Sequence, residues 1–133
     1  MPAPATAPAR VEATAETLAW IERLKATHGP LALYQHHGCC EGGAAPVCLR
    51  EREYRAAAGD RLLGEIDGCP FYISGYQYEQ WRHVQAIVDT SPGLGAGFSL
   101  EAPEGVGFFI RLRLFSAAEM DALAAAGEPP RVA

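Results

Sequence analysis

Apolar residues recur every third position near the start of the chain. Leu18, Ile21 and Leu24 follow this spacing, with Glu16, Glu22, Arg23 and Lys25 on the other faces, and they predict a helix over residues 12–28. Gly29-Pro30 ends it, because Gly suits the position after a helix and Pro cannot continue one. Downstream the period shortens. Residues 31–35 read as a short strand, and residues 50–58 carry enough charge to be an exposed ribbon or a turn of helix. Residues 62–66 and 69–73 read as two strands joined by a tight Asp67-Gly68 turn. Residues 75–83 suggest a short helix with Tyr76, Tyr78 and Trp81 facing inward, followed by strands at 84–89 and 98–101 around the glycine-rich loop 91–97. Val106, Phe108, Ile110, Leu112 and Leu114 alternate with Arg111 and Arg113 in the same stretch, the pattern of a half-buried strand. Ser116 and Glu119 have capping-box form and open a helix to about residue 126.

Strands separated by turns rather than by long helices favour a mixed or antiparallel sheet and an α+β fold. The 133 residues make one domain, expected over residues 11–127, with tails at 1–10 and 128–133. A hydrophobic fraction of 49% and a charged fraction of 20% suit a folded globule. A net charge of −5 disfavours a nucleic-acid partner, whose phosphates need a basic face. No apolar run is long enough to span a membrane. The Ala/Pro-rich start lacks the charged and apolar regions of a signal peptide, which places the chain in the cytoplasm, where disulfides are rare.

That setting bears on four cysteines, Cys39, Cys40, Cys48 and Cys69. In a reducing compartment, clustered thiols point to metal or redox chemistry more than to disulfides. Cys39 and Cys40 sit on a glycine-flanked loop, and Cys48 and Cys69 follow at intervals that are not the paired knuckles of a zinc ribbon. Convergent thiolates would select zinc, copper(I) or iron–sulfur over magnesium or calcium. Two other readings stay open: a reactive thiol at Cys39 or Cys40, with His36 or His37 as base, and inert buried cysteines. Cys69, beside Phe71 and Ile73, best suits a merely structural role. Glu41 could orient a ligand or fix a water, and is otherwise a solvated loop carboxylate.

The motifs Gly38-Cys39-Cys40-Glu41-Gly42, Pro46-Val47-Cys48, Leu63-Gly64-Glu65-Ile66, Gly68-Cys69-Pro70-Phe71-Tyr72 and Gly97-Phe98-Ser99-Leu100-Glu101 together resemble the small bacterial family called domain of unknown function 779, over about residues 16–120. The resemblance implies an accessory role beside aldehyde or alcohol dehydrogenases. His36 and His37 stand where that family usually has Ser and Gly, so the resemblance assigns them no ligand role. A fainter likeness is to the HesB-like A-type iron–sulfur carriers, which implies a mainly β core and a cluster-holding cysteine at Cys39 or Cys40. The chain lacks the carriers' Cys-Gly-Cys near the C-terminus.

Other signatures are missing. Residues 93–97 are not a dinucleotide fingerprint, the only lysine is Lys25, and no nucleophile elbow or H-E-x-x-H occurs. Asp60, Glu65 and Asp67 form an acidic stretch with no evident acid–base pairing, and Arg111 and Arg113 make an ordinary exposed strand face. The expectation is therefore an α+β accessory protein with Cys39, Cys40, Cys48 and Cys69 as metal ligands and Glu41 behind them. Its expected partner is an aldehyde or alcohol dehydrogenase, and a homo-oligomer is left open.

Overall fold

A computed structural model describes residues 7–36, 45–93 and 99–132. The first element among the described residues is a strand, β1 (Val11–Ala13), where the sequence pattern predicts the start of a helix. The helix α1 starts later (Ala15–His28), because Thr14 takes the N-cap, its hydroxyl accepting from the Thr17 amide at 3.3 Å. The Thr14 amide is itself bound to the Val88 carbonyl at 3.0 Å, so sheet pairing holds residues 11–14 extended. Ile21 and Leu24 enter the core as expected, whereas Leu18 is exposed. Thr17 is buried in its stead, its hydroxyl 2.7 Å from that of Thr90.

The remaining elements are β2 (Leu31–Gln35), β3 (Val47–Arg50), β4 (Arg61–Ile66), β5 (Cys69–Ile73), α2 (Gly75–Gln80), β6 (Val84–Pro92), β7 (Val106–Leu114) and α3 (Ala117–Ala126). They form two sheets, ordered β3-β2-β5-β4 and β1-β6-β7. The pairs β2–β5 and β1–β6 are parallel and the others antiparallel, so the fold is α+β with mixed sheets and, among the described residues, three helices. Asp67 and Gly68 both have positive φ, 49° and 78°, which closes the β4–β5 hairpin with the handedness that strand twist prefers. α3 opens on the expected capping box, Ser116 and Glu119 each accepting from the other's amide.

One core lies between the sheets. Leu31, Leu33, Cys48, Cys69, Phe71 and Ile73 from one sheet meet Val11, Ala86, Val88 and Phe108 from the other, with Ile21 and Leu24 of α1. Three expectations change at its margins. Tyr78 of α2 is fully buried and Trp81 packs against the core, but Tyr76 is 65% exposed. Ser99 and Leu100 are turn residues leading into a 3-10 turn (Ala102–Glu104), not a strand, and Phe98 lies outside the described residues. The alternation of β7 holds inward only as far as Ile110. Leu112 and Leu114, at 52% and 70% exposure, run past the core along the sheet edge. Arg111 and Arg113 pair within the chain, to Asp89 and Glu119, with nearest approaches of 2.6 and 2.9 Å.

Candidate functional site

The cysteine loop connects two hydrogen-bonded neighbours. β2 and β3 form an antiparallel hairpin in which Tyr34 faces Val47 and Leu33 faces Cys48. Both ends of the connection therefore leave one end of the sheet, about 5 Å apart. His37, Cys39, Cys40 and Glu41, the heart of the expected site, lie outside the described residues. His36 is at the exit of β2, its ring 6.2 Å from that of Tyr34.

Cys48 enters β3 just after the loop and is buried. Its backbone faces the free edge of the sheet, where residues 99–100 cover it. The Cys48 amide donates to Ser99 Oγ at 2.8 Å, and the Leu100 amide donates to the Cys48 carbonyl at 3.0 Å. Ser99 Oγ in turn donates to Glu101 Oε1, while Glu101 Oε2 accepts from the Phe108 amide at 3.1 Å. Glu101 thus ties the edge of one sheet to the start of β7 in the other. Burial pushes the Cys48 thiol far above its ordinary pKa, and the nearby Glu101 charge and Cys69 push it further.

Cys69 lies elsewhere. Leu33 is level with Phe71 in the parallel pair β2–β5, so Cys69 is level with Leu31, where β2 begins. At about 3.3 Å per residue, that is roughly 13 Å along the sheet from the end where the loop leaves. Cys48 and Cys69 share the core face, both are free thiols, and β2 runs between them. Burial raises the Cys69 pKa too, with Lys25 opposing. The structure brings Cys48, and not Cys69, to the base of the loop. Among the described residues no group of three or more His, Cys, Asp or Glu side chains is placed to hold a metal ion.

Two acidic residues had no distinguishing signal in the sequence. Asp60 is buried and accepts from Tyr34 Oη at 3.2 Å, Tyr54 Oη at 2.6 Å and the Ala57 amide at 2.9 Å. In the sequence Glu101 is the last residue of the expected strand 98–101 and of one family-like motif, with no chemistry assigned to it. Asp67, from the same acidic stretch as Asp60, binds Lys25 at 2.9 Å. His28 accepts on Nδ1 from Arg50 Nη2 at 3.1 Å, since a guanidinium can only donate. These two residues, with Pro30, Glu51 and Arg52, line a surface cavity of about 370 Å³.

A family described only as a domain of unknown function (DUF779) matches residues 20–114, from α1 through β7. The chain belongs to the DUF779 family. The matched DUF779 region includes the cysteine loop, Cys48, Cys69, Ser99 and Glu101. No curated protein and no solved structure matched the chain, and the likeness to A-type iron–sulfur carriers gains no support from these comparisons.

Thiolate, not thiol, is the nucleophile and the metal ligand. Cys48 and Cys69, buried and with raised pKa values, should therefore resist a brief pulse of alkylating reagent at pH 8 and react only on unfolding. Mass spectrometry of the pulsed native protein checks this. Modification of Cys48 ahead of Cys39 and Cys40 would contradict it.

Proposed function

We propose that this DUF779 protein binds a soft metal ion or an iron–sulfur species through its cysteine loop, and that it supports an aldehyde- or alcohol-oxidising enzyme in the cytoplasm. The β2–β3 hairpin supports this reading. It anchors both ends of the loop carrying Cys39 and Cys40 beside a third thiol, Cys48, which is buried at the same end of the sheet. Cys39, Cys40 and Cys48 are the proposed ligands, with Glu41 orienting one of them or a bound water. In this reading Cys69 stays in the core. Zinc, iron and copper(I) are the candidates, because thiolate donors favour them. Since Cys48 holds its proton tightly, binding must release that proton, and affinity should rise with pH. The dehydrogenase partner is the one the family resemblance implies. No helix among the described residues is long and apolar enough to cross a membrane.

Elemental analysis of protein purified without oxygen tests the proposal. The expected result is near one equivalent of zinc, iron or copper, lost in Cys39→Ser and Cys40→Ser. Less than about a tenth of an equivalent in the wild type would overturn it. The burial of Cys48 and Cys69 also lends weight to a second reading, redox or nucleophilic thiol chemistry at Cys39 or Cys40. That reading predicts a fast-alkylating thiol in metal-free protein, so one sample analysed for metal and titrated for thiols separates the two. A protein-binding adaptor with purely structural cysteines would keep its dehydrogenase partner in Cys39→Ser.

A further inference from the structure

Three guanidinium groups crowd one aromatic ring. Those of Arg10, Arg61 and Arg82 lie 5.4, 5.0 and 4.9 Å from the centre of the Tyr78 ring. Attraction to the ring face offsets part of their mutual repulsion. Carboxylates offset the rest unevenly. Glu79 and Glu128 both pair with Arg82, and Glu128 also reaches Arg61 at 3.4 Å. Arg10 pairs with no carboxylate among the described residues. Its Nη1 donates to the Arg82 carbonyl at 3.0 Å, which holds the guanidinium in place while most of its five N–H groups stay unused. The cluster thus sets three positive charges against two negative ones. Tyr78 carries a second unmet demand, because its hydroxyl is buried with no hydrogen-bond partner among the described residues.

A cavity of about 310 Å³ adjoins the cluster. Arg10, Arg82 and Glu128 line it together with Met120, Leu123 and Ala124 of α3. Arg82 and Glu128 already neutralise each other, so Arg10 supplies the one uncompensated charge, and α3 supplies apolar surface. From this juxtaposition we infer that the cavity binds a small organic monocarboxylate, its carboxylate on Arg10 and its apolar body against Met120, Leu123 and Ala124. A guanidinium matches a carboxylate with two parallel hydrogen bonds. A single spare charge suits a monoanion, and the Glu128 carboxylate at the same cavity disfavours a dianion such as phosphate. A cavity of about 150 Å³ holds a benzene ring, so an acid of about six to eight carbons fits here. The inference goes beyond the proposed metal chemistry and uses neither the cysteine loop nor Cys48.

Calorimetric titration of the full chain with hexanoate at low salt tests this. Hexanol shares the tail without the charge, and acetate and inorganic phosphate share the charge without the tail. Hexanoate is expected to bind with a Kd below about 1 mM, and each of the other three at least about tenfold more weakly. Arg10→Gln should weaken hexanoate binding by at least about tenfold. Ala124→Trp, at an exposed position of α3, should fill the cavity and abolish binding. Thermal midpoints show which variants are folded, and if Arg10→Gln is not, Ala124→Trp carries the test. No heat of hexanoate binding up to about 10 mM would overturn the inference. So would hexanol binding as tightly as hexanoate, which marks a purely apolar cleft, or phosphate or acetate doing so, which marks a general cationic surface. Hexanoate affinity within about threefold of wild type in either folded variant overturns it as well.

Discussion

Phe71→Ala is expected to lower folding stability by about 3–5 kcal/mol, the range for emptying a fully buried aromatic site. Phe71 is completely buried in β5, level with Leu33 of β2 on one side and Gly64 of β4 on the other. The surroundings cannot easily close the gap, because backbone hydrogen bonds on both sides hold β5 in place. Leu33 would lose its neighbour on one flank while Cys48 remains on the other. The strand that carries the cysteine loop should therefore loosen along with the core. Urea unfolding gives the measurement: the midpoint should fall with little change in slope, and Phe71→Leu should lose clearly less. A loss under about 1 kcal/mol for the alanine variant would mean that the core collapses around the cavity far better than the sheet register suggests.

The elements that sequence reading placed well owe their form to local pattern. β2 matches the predicted residues 31–35, and β4 and β5 flank the Asp67-Gly68 turn, because side-chain alternation and a two-residue turn are both properties of adjacent residues. β1 could not be read in this way. Three residues carry no period, and Val11–Ala13 is a strand only because β6, more than 70 positions away, offers its edge. The exposed end of β7 follows from the same cause. Leu112 and Leu114 have the alternation of buried residues, but whether anything covers them depends on where the sheet ends.

The candidate site divides along the same line. Cysteine chemistry is visible from residue type, so the four thiols stand out in the sequence. The sequence does not show that Cys48 lies at the base of the loop and Cys69 at the far end of β2, because register alone decides it. The parallel β2–β5 pairing carries Cys69 away from the loop even though both residues face one core. Glu101 and Asp60 were hidden for a related reason. A carboxylate is unremarkable in a sequence until its partners are known, and the partners here are Phe108 for one and the Tyr34–Tyr54 pair for the other.

Asp60→Ala should cost about 2–4 kcal/mol, because it leaves two phenols and one amide without their acceptor in a site that already excludes most water. Tyr34 and Tyr72 are side by side on the outer face of the sheet, and Tyr54 stacks on Tyr72 with ring centroids 3.9 Å apart. Asp60 binds both Tyr34 and Tyr54, so it pins the segment after β3 over the face next to His36 and the loop exit. Asp60→Asn should lose less, since its carbonyl can still accept from one phenol. Alkaline titration gives an independent check. Burial, followed by the Asp60 charge and hydrogen bond, pushes the Tyr34 pKa up to about 12, above the ordinary value near 10. A phenol whose folded pKa is raised stabilises the fold fully below pH ~10, and that contribution is lost as pH climbs toward 12. In Asp60→Ala two of the three causes vanish, so tyrosinate absorbance should appear at lower pH and alkaline unfolding should begin sooner. An unchanged tyrosine titration would mean that burial alone sets the shift, and that Asp60 holds the aromatic cluster by shape rather than by charge.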